Sequence, residues 1–132
     1  MADPSYSTTL RNAKLDANST IIGNAGLLQI WSGVRPAFGG AAGTKLAEFT
    51  LASPFAPSSA GGVESPTLPA GTTGLAAGTA TWYRVTTSGG TAEMDGDAGA
   101  SGSGKSMILS TTTVSVGLAL SVTSWSITGG NA

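Results

Sequence analysis

The chain has 132 residues, of which 20 are Gly, 20 Ala and 35 Ser or Thr, with no Cys and no His. A length of this order is one domain's worth, and the absent residue types exclude a Ser-His-Asp triad, a Cys-His dyad, an imidazole base, a thiolate zinc site and a disulfide. Six basic and seven acidic residues, spread without runs, give a net charge of −1 and no concentrated basic face to neutralise phosphates, so nucleic acid is not an expected partner.

The leading residues Met1-Ala2-Asp3-Pro4-Ser5-Tyr6 lack the basic stretch and apolar run of a secretory leader. Apolar runs elsewhere are only a few residues long, so the expectation is a soluble product of the cytoplasm with no membrane partner. Residues 1–7 read as an arm whose only large aromatic is Tyr6, and residues 8–132 as a single domain. Within that domain, residues 8–22 read as an amphipathic helix. Leu10, Ala13, Ala17 and Ile21 recur at spacings of three and four, Ser7 or Thr8 caps the start, and Gly23 supplies the left-handed stop. The expectation is that this stripe lies against an apolar surface while Arg11, Asn12, Asp16 and Ser19 face outward.

After Gly26 the pattern changes to short β-branched and aromatic runs separated by Gly, Pro and Ser clusters, which predicts strands over 27–31, 45–51, 79–87, 91–95, 106–110, 112–116 and 118–127. Ser88-Gly89-Gly90 supplies the backbone freedom for a tight hairpin between residues 80–87 and 91–95. In the last strand Leu118, Leu120 and Val122 share one parity and Trp125 and Ile127 the other, so a β-bulge near Thr123-Ser124 is needed to bring both sets to the core. The expected fold is mainly β: an antiparallel β-sandwich, jelly-roll-like, with one N-terminal amphipathic helix. Residues 36–44, 53–78 and 96–104 read as long loops, which in so small a domain are either simple connections or segments with a function or a partner.

Four groups of residues invite a chemical reading. Gly99-Ala100-Ser101-Gly102-Ser103-Gly104-Lys105-Ser106 satisfies the phosphate-loop pattern at every fixed position. A working loop needs a helix starting near the Lys and a later acidic residue to hold magnesium. Here a β-prone run follows and no Asp or Glu comes after Asp97, so the string reads as a glycine-rich connection and no cofactor is expected. Glu93, Asp95 and Asp97 alternate, placing their carboxylates on one strand face about 7 Å apart, as a cation site or a solvated face. Trp31, Trp82, Tyr83 and Trp125 fall on or beside strands, as core or as a stacking platform. Arg35 opens a long loop directly after a strand and is a candidate for a specific contact. The sequon Asn18-Ser19-Thr20 lies inside the helix of a chain without a leader and is discounted.

Taken together, Leu10-Arg11-Asn12-Ala13-Lys14-Leu15-Asp16, Leu28-Gln29-Ile30-Trp31-Ser32-Gly33-Val34-Arg35-Pro36, Gly78-Thr79-Ala80-Thr81-Trp82-Tyr83-Arg84-Val85, Met94-Asp95-Gly96 and Ser124-Trp125-Ser126-Ile127-Thr128 resemble, in order and across nearly the whole chain, small β-sandwich capsid decoration (cement) proteins of tailed bacteriophages. The resemblance implies a non-enzymatic virion protein on the capsid exterior, binding the major capsid protein as a dimer or trimer, with no catalytic, cofactor or metal residues. The candidate partner contacts are Tyr6, Arg11, Lys14 and Arg35. The alternative is a tail, neck or fibre component that binds a host-surface glycan through exposed aromatics.

Overall fold

The computed structural model describes residues 5–129, so most of the expected arm, residues 1–4, lies outside the described residues. In chain order the elements are α1 (Thr8–Ile22), β1 (Leu27–Ser32), β2 (Lys45–Thr50), β3 (Val63–Glu64), β4 (Thr72–Thr73), β5 (Gly78–Thr86), β6 (Ala92–Gly99), β7 (Met107–Leu109), β8 (Thr113–Val114), β9 (Ala119–Leu120), β10 (Val122–Trp125) and β11 (Ile127–Thr128). The protein is mainly β with one N-terminal helix and a curled sheet. The main sheet has the order β10-β7-β6-β5-β1-β2 with β8 also against β5, and β11–β3 and β4–β9 form two small sheets.

β5 is the central strand, antiparallel to both β1 and β6. Its Tyr83 and Val85 join one hydrophobic cluster with Leu28, Ile30, Leu46, Phe49, Phe55, Met107, Leu109 and Trp125. The β5–β6 hairpin forms where the glycines predict it, with Gly90 at φ +92° and the Thr87 amide donating to the Thr91 carbonyl. Across the hairpin the Tyr83 ring occupies the space a side chain at Gly96 would need. Its hydroxyl accepts a bond from Trp125 Nε1 at 3.2 Å, and the Tyr83 and Phe55 rings meet Trp125 edge-on at 5.4 and 5.2 Å. The expected bulge is present: β10 slips register against β7 between Val122 and Ser124, and Leu120, Val122 and Trp125 are all buried despite their parities.

Five expectations need correction. The last strand is not continuous; it is broken into β9, β10 and β11, and Leu118 stays partly exposed. The 53–78 loop contains β3 and β4, whose two-residue pairings leave no periodic signal in the sequence. β6 continues through Gly96 to Gly99, shortening the expected loop there. The sheet is not wholly antiparallel: β6 and β7 are parallel, joined by a short connection that suffices because only Ala98–Met107 and Gly99–Ile108 pair.

The helix is the fifth correction. Its ends are as expected, with the Ser7 side chain accepting from the Leu10 amide and Gly23 at φ +70°, but its faces are reversed. Leu10 and Ile21 are 46% and 57% exposed, and Ala13 and Ala17 also face solvent. The buried apolar contacts are Leu15 and Ile22, and the polar residues between them turn inward. Asn12 accepts from the Gly62 amide, Asp16 from the Ser59 amide, and Ser19 donates to the Ala56 carbonyl. The physical reason is the surface beneath: residues 56–62 carry main-chain groups without sheet partners, which must be satisfied wherever they are covered. Side chains of α1 satisfy them.

Beneath α1, Glu64 is fully buried. One carboxyl oxygen accepts from Asn18 Nδ2 at 2.8 Å and the other has no protein partner. Burial pushes its pKa above the ordinary carboxylate value, opposed by the Asn18 bond and helped by nearby Asp16.

Two outcomes are expected. Gly96→Ala forces the new methyl into Tyr83 and lowers stability by about 1–3 kcal/mol, measured as a shift of the urea midpoint. For Glu64, a raised folded-state pKa gives stability that is complete below the ordinary value of 4.5 and is lost as pH rises through the raised value. Glu64→Gln, neutral at every pH, should gain stability relative to the parent as pH rises across that window. Urea titrations at a series of pH values read this difference.

Candidate functional site

The face of β5 opposite the core carries Trp82 and Arg84, aligned with Trp31 and Gln29 of β1 and with Asp97 and Asp95 of β6. Arg84 and Asp95 make a two-pronged ion pair, Nε to Oδ1 at 2.8 Å and Nη2 to Oδ2 at 3.0 Å, with both side chains largely buried. Paired geometry of this kind is the strong form of the interaction. Arg84 lies 5.1 Å from the Trp82 ring, which stacks on Trp31 at 5.8 Å. Farther along the same sheet Glu48 accepts from Lys45 and Gln29, and the Lys45 bond is the main reason its pKa falls below the ordinary value.

The connection between β1 and β2 folds onto this network. Its base closes where the Ser32 amide donates to the Thr44 carbonyl. Its tip turns at Gly39, φ +74°, and is held by two bonds to the ion pair: Arg84 Nη2 donates to the Gly40 carbonyl at 3.0 Å, and the Gly39 amide donates to Asp95 Oδ2 at 3.3 Å. Arg35 adds a contact to Asp97 Oδ1 at 3.4 Å and a bond to the Asp95 carbonyl. Thus braced, the connection turns Val34 and Phe38 outward, 93% and 63% exposed.

Beside this connection runs a cleft of about 790 Å³, bordered by Arg35, Met94–Asp97, Lys105, Ser106, Ser124 and Ser126–Thr128. Lys105 and Ser106 end the phosphate-loop string. β6 stops at Gly99, the string turns through Gly102 and Gly104 at positive φ, and β7 follows, so no helix presents amide donors at Lys105. Of the three alternating carboxylates, Asp95 serves Arg84 and Asp97 serves Arg35. Among the described residues no cluster of three acidic groups is placed to hold a metal ion.

The candidate contact residues fall into two sites. Lys14 Nζ sits 3.8 Å from the Tyr6 ring centroid, so these two pair with each other. Arg11 donates to Thr8 Oγ1, lies against Gly62 and is half-buried. Arg35 belongs to the second site, where it braces a loop. Tyr83 and Trp125 are core residues, Trp82 is buried on the opposite face of β5, and Trp31 is half-buried. The residues that sequence reasoning missed are Arg84, Val34 and Phe38. Counting outward from the Ser88-Gly89-Gly90 turn brings Arg84 near Asp95, and that pairing was the available signal. Nothing in the sequence marks Val34 and Phe38 as outward. In comparisons with protein-family models, curated proteins and solved structures, nothing matches the chain.

Asp95→Asn leaves Arg84 buried without a countercharge and should cost about 3 kcal/mol or more. Arg35→Ala breaks a half-exposed pair and should cost less than about 1 kcal/mol while speeding amide exchange in residues 36–40. Urea unfolding and hydrogen-exchange mass spectrometry separate the two effects.

Proposed function

We propose that the protein is a non-enzymatic virion component of a tailed bacteriophage that decorates the capsid exterior and bridges subunits of the major capsid protein. Beside the sequence resemblance, one observation supports this reading: the β1–β2 connection is tied down by Arg35, Arg84 and Asp95 and presents Val34 and Phe38 to solvent. A contact already held in shape loses little conformational freedom on docking, and repetition over a lattice turns weak contacts into a strong shell. The protein acts as a small symmetric oligomer, a dimer or trimer, near a local symmetry axis. The curled sheet closes toward the two small sheets as a jelly-roll-like sandwich; in support, Val114 of β8 and Leu120 of β9 share one cluster with Leu46 of β2. The glycan-binding alternative draws less support, because Trp82, Tyr83 and Trp125 are buried and offer no ring to a sugar.

Virions lacking the protein should release packaged DNA at lower temperature and under milder osmotic shock than wild-type virions. Val34→Ser with Phe38→Ser should leave the thermal unfolding of the isolated protein near that of the parent yet weaken its binding to shells. Equal DNA retention by virions with and without the protein removes the cement role.

A further inference from the structure

The cleft bordered by Met94–Asp97 lies along a strand edge. Alternate residues of a strand point to opposite faces, yet both sets border it: Met94 and Gly96 from one face, Asp95 and Asp97 from the other. β6 pairs with β5 over residues 92–97, but on its other side it meets β7 only at Ala98 and Gly99. Residues 92–97 therefore have no strand on that outer edge among the described residues. β7 fills the position between β6 and β10 at one end, with Met107 opposite both Ala98 and Trp125. The cleft prolongs that position, with Ser124 and Ser126–Thr128 forming its far wall. The sheet opens there over four residues of β6, about 13 Å at the usual rise per residue.

We propose that this cleft is a strand-addition site: it takes an extended segment of a partner polypeptide, which hydrogen-bonds to β6 along residues 94–97. Main-chain groups repeating at the strand period are matched by another extended main chain. The far wall excludes the sheet edge of a second folded domain, a copy of this chain included, and admits a single free segment. Small and hydroxyl-bearing side chains suit that wall, which is Ser and Thr apart from Ile127. Lys105, exposed at the closed end and in no ion pair among the described residues, selects a carboxylate there, whereas Arg35 is already matched by Asp97. Side chains reach this stretch with two long bonds, Arg35 to the Asp95 carbonyl at 3.3 Å and Ser106 to the Asp97 carbonyl at 3.4 Å. Both exceed the usual range, so the empty edge is weakly guarded. The proposal does not depend on the capsid reading.

The test uses the full chain and a synthetic hexapeptide, acetyl-Thr-Ser-Thr-Val-Ser-Asp-amide, beside the same peptide N-methylated at alternate residues. Hydrogen-exchange mass spectrometry should show the amides of residues 94–97 slowed at least about tenfold by the first peptide and unaffected by the second. Ser126→Arg, which fills the cleft from the far wall and leaves the sequence of β6 unchanged, should abolish the protection while its circular dichroism matches the parent. Lys105→Glu should move the preference to a peptide ending in Lys. No protection by millimolar peptide, equal protection by the N-methylated form, protection confined to another edge such as β2, or protection retained in Ser126→Arg would each overturn the proposal.

Discussion

A charged pair buried across a hairpin is costly to create in a chain with so few charges, because both ions must leave water and are repaid only when the geometry is good and their remaining hydrogen-bonding groups are matched. In this protein they are matched by the backbone of another segment. Arg84 and Asp95 bind each other with two bonds and use what is left to hold Gly40 and Gly39. The hairpin register, the path of the β1–β2 connection and the outward set of Val34 and Phe38 all follow from that one satisfied pair. The opposite face of the same strand, with Tyr83 and Val85, carries the hydrophobic core. β5 thus holds the core on one side and orders the β1–β2 connection on the other.

Much of the fold is legible in the sequence where a local rule has a single solution. Three small residues between β-prone runs allow a tight turn, and the parity change from Val122 to Trp125 has one inexpensive remedy, the slip between Val122 and Ser124. The helix shows the limit of such rules. Its position and caps follow from residues within it, but the direction of its faces depends on what lies beneath. That surface is a loop needing hydrogen bonds, so Asn12, Asp16 and Ser19 are drawn inward and the apolar stripe is left outside. Hydrophobic periodicity assumes that the supporting surface is greasy; over residues 56–62 it is not.

The arrangement around the candidate residues was legible for similar reasons and to a similar degree. Arg35 stood out because it begins a loop after a strand, and the structure gives it a brace to Asp97. Tyr6 and Lys14 were separate candidates and prove to be partners. Asp95 and Asp97 share the strand face that alternation predicts, while Glu93 falls at the register shift of β6 against β5, and alternation says nothing about which cations lie opposite. The arginines that claim Asp95 and Asp97 come from β5 and from the β1–β2 connection. The glycine-rich string was legible as a connection between strands because the run after Lys105 reads as strand, and β7 occupies it.

The pairing of the last strands with early segments bears on the order in which the molecule can assemble. β11 closes on β3, β9 on β4 and β8 on the start of β5. The segment between β2 and β5, with only two-residue strands of its own, is stapled from outside by chain made much later. Such non-local closure is entropically expensive before it is rewarded, and it slows folding relative to chains of local contacts. During synthesis the β1, β2, β5 and β6 strands can come together first, with α1 already able to cover residues 56–62, while β3 and β4 wait for the much later strands that pair with them.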